Sequence, residues 1–224
     1  MLSLTEMSCL AQRSEAWFSA RVNKLTASNL GCAMGQVPGQ GLSRREALKR
    51  ARGLSEFKGN EATEWGTQME SEGVKAYEKL TGNVVTETGL HTHAQYPWLA
   101  GSPDGLVGTD GIIEVKCPYY SKVVHPSVKI YYWMQCNAVM EITDRQWCDY
   151  ICWTPGKVGI YRIHRDTDTF NKLLPYYKEF ADAILTDVQE LPTSKIDPKY
   201  RRRVCDIVFD GMQTSVDKTS LCKQ

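Results

Sequence analysis

No run in this sequence approaches the roughly 18 to 20 apolar residues that a helix needs to cross a bilayer. Met1 to Leu10 contain no basic region leading into an apolar one, so no secretory signal is expected. Net charge is nearly absent: 27 Lys and Arg against 26 Asp and Glu leave +1. Bulk charge therefore announces no polyanionic partner, although a local basic track on a neutral protein stays compatible with one. None of the eight cysteines forms a Cys-x-x-Cys pair, which excludes the usual tetrahedral zinc spacings. They are expected to be free thiols in a reducing compartment, in a soluble, intracellular protein. The loop from Gly31 to Gly41 lacks the Gly-Lys-Ser/Thr ending of a P-loop, and no internal repeat is visible.

What is present is ordinary globular material. Of the 224 residues, 42% are hydrophobic and 24% charged, enough for one sizeable core. One folded unit is expected over 1–190, followed by a polar segment, 191–224, with a basic cluster at Arg201 to Arg203. That tail is expected to be an extra helix, an oligomer contact or partly disordered. Helices are expected over 11–21, 43–57, 61–80, 128–142 and 168–185, the last with Pro175 marking a kink or a late start. Strands are expected over 84–90, 93–101, 147–153 and 158–165. His91 and His93 alternate on one strand face, and without further ligands they read as surface or structural residues.

The stretch from Ser102 to Cys117 concentrates the chemistry. Asp104 lies in a Pro-Asp-Gly turn, a second turn spans Gly108 to Gly111, and Ile112 to Lys116 follow as a β-branched run, so a hairpin is expected. Alternation puts Ile113 and Val115 on one face and Glu114 and Lys116 on the other. Two carboxylates and an amine make a poor core. They suit a hard divalent cation, which prefers oxygen ligands. A solvated hairpin with an incidental ion pair matches the same residues. Elsewhere, Glu70 lies at or beside the inward face of its helix, where an acid needs a cation or a metal. Gln135 lies on the apolar stripe of a later helix, where a core hydrogen bond is its commonest use. Arg21 shares a helix face with Trp17. It precedes Thr26-Ala27-Ser28, a possible helix start able to receive an anion or simply an ordinary cap. The basic run Arg44, Arg45, Lys49, Arg50 and Arg52 is a solvated face, or a backbone contact if it borders a phosphodiester site.

The Pro103-Asp104 and Glu114-Val115-Lys116 pattern resembles the PD-(D/E)XK nuclease superfamily. The likeness then becomes more specific. Ala16-Trp17 with Arg21, Thr26-Ala27-Ser28, Trp65 to Glu70, Gly101 to Gly105, Glu114 to Pro118 and Tyr131 to Gln135 occur in the order seen in the lambda exonuclease, or YqaJ-type viral recombinase, family. The resemblance covers about Ala16 to Phe180. It implies an α/β fold with a central mixed sheet flanked by helices. It implies a 5′-to-3′ exonuclease on double-stranded DNA ends that releases mononucleotides and leaves 3′ overhangs for recombination. It also implies Mg²⁺, with Mn²⁺ as a substitute, held by Glu70, Asp104, Glu114 and the Val115 carbonyl. Lys116 activates or positions water, and Gln135 sits beside it. Arg21, Ser28 and Ser102 correspond to a 5′-phosphate pocket. A trimeric ring, a single-strand annealing partner and a phage, viral or host-cell setting are family expectations. The later helix departs from the family's Gln-x-Gln, carrying Gln135-Cys136-Asn137. Competing readings are an endonuclease or single-strand nuclease on the same fold, and a non-catalytic DNA-binding recombination module.

Overall fold

The hairpin forms as the turns predict. Strands β5 (Gly105–Val107) and β6 (Gly111–Lys116) pair antiparallel, with Gly105 opposite Ile113 and Val107 opposite Gly111. On its other edge β6 pairs in parallel with β7 (Trp147–Thr154). A parallel neighbour requires a crossover, and α5 (Ile130–Thr143) supplies it. Strand β8 (Lys157–His164) then returns antiparallel to β7 around the Gly156 turn. The computed structural model describes residues 8–35, 43–55, 59–186, 207 and 216–217.

Among these residues one sheet runs β2-β5-β6-β7-β8-β9, with β2 at Val85–Thr86 and β9 at Val216–Asp217. A smaller sheet runs β1-β4-β3, from Leu25–Thr26, Leu99–Gly101 and His91–Thr92. The fold is the expected α/β arrangement of mixed sheets flanked by helices. The chain boundary near 190 and the cluster Arg201 to Arg203 lie outside the described residues.

Side-chain alternation along β6 sorts two layers. Ile113 and Val115 pack with Tyr77, Ile151 and Ile160 beneath α4 (Glu61–Thr81). Ile112 faces the larger core shared with Trp133, Val139 and Phe180. Both faces of β6 are thus covered, so Glu114 lies not on an open face but almost fully buried under α5. Helix α4 starts at an Asn60–Thr63 capping box and stops at Gly82, whose φ of 74° suits a left-handed C-cap. It approaches the sheet closely: a Cβ at Gly73 would stand 2.6 Å from a Val115 methyl. That approach carries Glu70, less than one turn earlier, to the end of β6.

Several elements differ from expectation. The strand expected over 84–90 contracts to Val85–Thr86, and that over 93–101 to Leu99–Gly101. Pro97 has no N–H to give a ladder, and the Leu99 amide closes a turn on the Tyr96 carbonyl at 2.8 Å. His91 therefore bonds Thr88 at 2.7 Å while His93, beyond the strand, stacks on Phe170. The first helix, α1 (Glu15–Arg21), begins later than expected because Ser14 caps it. Helix α2 is the single turn Leu30–Ala33, and α3 is Arg44–Ala51; Phe57, the expected end of α3, lies outside the described residues. Helix α6 (Thr167–Leu185) does not start late at Pro175: Asp166 caps it by accepting from the Thr169 amide, and the proline lies inside it.

Two members of the basic run at α3 make structural contacts, while Arg45 and Lys49 are exposed. Arg44 is buried, pairs with Glu179 at 3.0 Å and lies over Phe180. Arg52 donates to the last carbonyls of α6, among them Ile184 at 3.2 Å.

Candidate active site

One cavity of about 200 Å³ collects Arg21, Ser28, Glu70, Ser102, Asp104, Glu114, Val115, Lys116 and Gln135. Every residue assigned to the site by the sequence resemblance lines it. Four regions of the chain converge there: α1 with the turn after β1, the inward side of α4, the β4–β6 hairpin region, and α5.

At one end lies the acid–lysine cluster. Asp104 directly precedes β5, and its amide donates to the Ile113 carbonyl at 3.1 Å. Its carboxylate accepts from the Val115 amide at 2.7 Å, which locks it against β6. Lys116 donates to Glu114. Gln135, from α5, donates to the same Glu114 oxygen at 2.6 Å. The amide on the apolar stripe thus has its partner, and that partner belongs to the site.

The charges in this cluster are strongly coupled. Burial, and then the neighbouring Glu114 charge, push Asp104 up to about 7. Burial and then Asp104 raise Glu70, against the opposing pull of Arg13. Burial disfavours the Lys116 cation, but Glu114, Asp104 and Tyr132 outweigh it and raise its pKa. An excess of mutually repelling oxygen donors fits a hard divalent cation. Asp104, Glu114 and Val115 line the cavity together. Glu70 is engaged otherwise, in an ion pair with Arg13. Among the described residues no three His, Cys, Asp or Glu side chains converge as a ready-made metal cage.

At the other end lies Arg21. Its guanidinium stacks 3.9 Å over the Trp17 ring and reaches the Thr26 and Ser28 hydroxyls at 3.4 Å each. The Trp17 indole N–H donates to Ser102 at 3.0 Å. Burial lowers Arg21 to about 10, still a cation at neutral pH. Among the described residues no carboxylate pairs with it. The expected helix start is only a 3₁₀ turn, Ala27–Asn29, and Thr26 makes no side-chain cap there. Any anion at this end would be held by Arg21 and the hydroxyls rather than by a helix dipole.

Two lining residues, Gln12 and Arg13, were not assigned to the site from the sequence. Gln12 donates to the Thr88 and Pro103 carbonyls at 3.1 and 2.8 Å, tying the amino-terminal segment to the hairpin. Arg13 adopts a left-handed backbone, φ 67°. It lies outside α1, although the helix expected over 11–21 would have set it four residues before Trp17.

The fold and this cleft define an α/β protein of the PD-(D/E)XK nuclease class. The YqaJ-like viral recombinase domain matches residues 16–146, and the chain belongs to that family. An alkaline exonuclease, LHK-Exo, from Laribacter hongkongensis superposes with a TM-score of 0.63 at 27% identity, over 87% of this chain and 100% of that one. Its complex with dAMP gives 0.60 at 26% identity, over 90% and 100%. A phage related exonuclease from Haemophilus somnus 129PT shares the fold, with a TM-score of 0.53 at 17% identity over 82% and 95% of the two chains. An uncharacterized protein of Acanthamoeba polyphaga mimivirus is 26% identical over 158 residues, which are 62% of this chain and 28% of that relative.

Proposed function

We propose that this protein is a divalent-metal-dependent DNA exonuclease that degrades one strand of a duplex from its 5′ end. The observation that carries the reading is the union, in one cavity, of the Asp104–Glu114–Lys116 cluster with an arginine that no described carboxylate neutralises. The two ends have complementary tasks. Arg21, Ser28 and Ser102 hold a terminal 5′-phosphate by charge-assisted hydrogen bonds. Asp104 and Glu114, with the Val115 carbonyl and a Glu70 released from Arg13, would hold Mg²⁺ or Mn²⁺.

A bound divalent ion supplies a water of lowered pKa and offsets charge on the phosphoryl oxygens. The chain's own groups do the rest. Gln135 and Lys116 fix the Glu114 carboxylate. Lys116, kept protonated by that carboxylate, orients the attacking water and stabilises developing negative charge rather than accepting a proton. Water adds to the phosphorus between the first and second nucleotides, and the bond from phosphorus to the 3′-oxygen breaks. The 3′-oxygen takes up a proton, matching the one that water gives up. The first nucleotide leaves as a 5′-monophosphate. The second now bears the terminal 5′-phosphate, so each turnover regenerates the group the Arg21 end holds.

Digestion of linear and covalently closed circular duplex, each with Mg²⁺ and with EDTA, tests this reading. Mononucleotides are expected from the linear DNA in Mg²⁺ alone. Nicking of the closed circle, or release from 3′ ends, would overturn it.

A further inference from the structure

Beside the catalytic cavity runs a larger groove of about 650 Å³ that shares Arg13, Glu70, Val115 and Lys116 with it. One side of it is formed by small residues of α4 between Ala62 and Thr67, and the other carries tyrosines and a lysine. Tyr119, Tyr120, Tyr131, Tyr132 and Lys129 line it, and none of these lines the smaller cavity. Tyr119 and Tyr120 meet edge to face at 5.1 Å, as do Tyr131 and Tyr132 at 4.4 Å. Tyr120 is 75% exposed, a large ring left open to solvent.

Charge favours an anion along this wall. Lys129 lies 5.9 Å from the Tyr131 ring, and Lys116 lies 5.3 Å from that of Tyr132. Of the acids nearby, Glu70 is paired with Arg13 and would turn to the cation when one is bound, and Glu61 accepts from the Tyr119 hydroxyl at 3.0 Å. Burial, then Lys129 and Lys116, lower the pKa of His125 in the groove to about 4, so it adds a neutral ring at pH 7. Planar rings interleaved with cations form the surface on which unpaired nucleobases stack while their phosphates follow the positive charge.

We propose that this tyrosine-lined groove binds the cleaved strand as single-stranded nucleic acid on the 3′ side of the scissile phosphate, with bases stacked on Tyr120 and its neighbours. The proposal rests on the 5′-end reading above, which sets the direction: terminal phosphate at Arg21, scissile phosphate at Lys116, following nucleotides beyond Lys116. The subsite keeps the next nucleotides unpaired while the first is removed.

The test uses a 5′-phosphorylated single-stranded oligonucleotide with 2-aminopurine at its third position. It is bound to the full chain carrying Asp104→Asn, in Mg²⁺. The probe is expected to be quenched on binding. Adding Tyr119→Ala and Tyr120→Ala should remove most of the quenching and weaken binding about tenfold, whereas Tyr120→Phe should preserve both. An unquenched probe on the intact groove, or equal quenching after both alanine changes, overturns the proposal. Cleavage of linear duplex by the chain with native Asp104 is scored separately. Cleavage without quenching overturns the groove alone, and quenching without cleavage overturns the hydrolytic reading while the groove stands.

Discussion

Asp104 carries the highest electrostatic tension in the site, and its neighbours explain why. Its carboxyl is raised from 3.8 to about 7 by burial and by Glu114. Between those values the folded chain holds a proton that the unfolded chain has released. Stability is therefore lost as pH rises from about 4 to about 7, and the loss is complete above 7. Asp104→Asn should raise the Tm of the metal-free protein by several degrees at pH 8 and by much less at pH 4, while lowering cleavage at least about 100-fold. Equal Tm shifts at the two pH values would contradict the assigned repulsion. Arg13 bears on the same balance. Its partly exposed ion pair is worth at most about 1 kcal/mol, so Arg13→Ala should cost little stability. It should free Glu70, so the Tm gain on adding Mg²⁺ should exceed that of the unaltered chain. An equal gain would mean that Arg13 does not compete with the cation.

At the scale of elements, the site depends on how closely α4 can lie on β6. Gly73 permits that approach because any Cβ would collide with Val115. Gly73→Ala should cost about 1–3 kcal/mol in denaturant unfolding, the usual range for overpacking. It should also reduce cleavage by displacing Glu70, and an unchanged midpoint would show that Val115 moves aside freely. The hairpin, α4 and α5 were legible in the sequence because their signals are local: turn glycines, β-branched alternation and helical spacing of apolar residues. The strands before the hairpin were not, because their shortness reflects pairing of β1 with β4 across the chain and the missing N–H of Pro97. Burial of Glu114 was misread for a related reason. Alternation assigned it a face, but only the crossover geometry of α5 shows that this face is covered.

At the scale of the molecule, family membership and the mixed sheet explain how distant motifs reach one cavity. The spacing of Asp104 and the Glu114–Lys116 segment suited a cation site and a solvated hairpin alike, and the resemblance was needed to favour the first. Arg21 and Gln135 had unremarkable local contexts and became site residues only through the resemblance. Arg13 and the tyrosine groove were not assigned to the site, since the groove joins the segment before α1, the start of α4, the loop after β6 and the start of α5. A ring of three chains is the family expectation, and sedimentation equilibrium should return a trimer; a monomer at working concentration would remove the ring from the account. The central claim is that one cavity both holds the 5′-phosphate and cuts beside it. Its most direct test compares initial rates on linear duplexes with 5′-phosphoryl and 5′-hydroxyl ends, for the unaltered chain and for Arg21→Ala. The account predicts a phosphoryl preference of about tenfold or more that collapses in the variant, in line with the loss of a charge-assisted contact. An unchanged preference would remove Arg21 from the pocket and contradict the joining of the two ends.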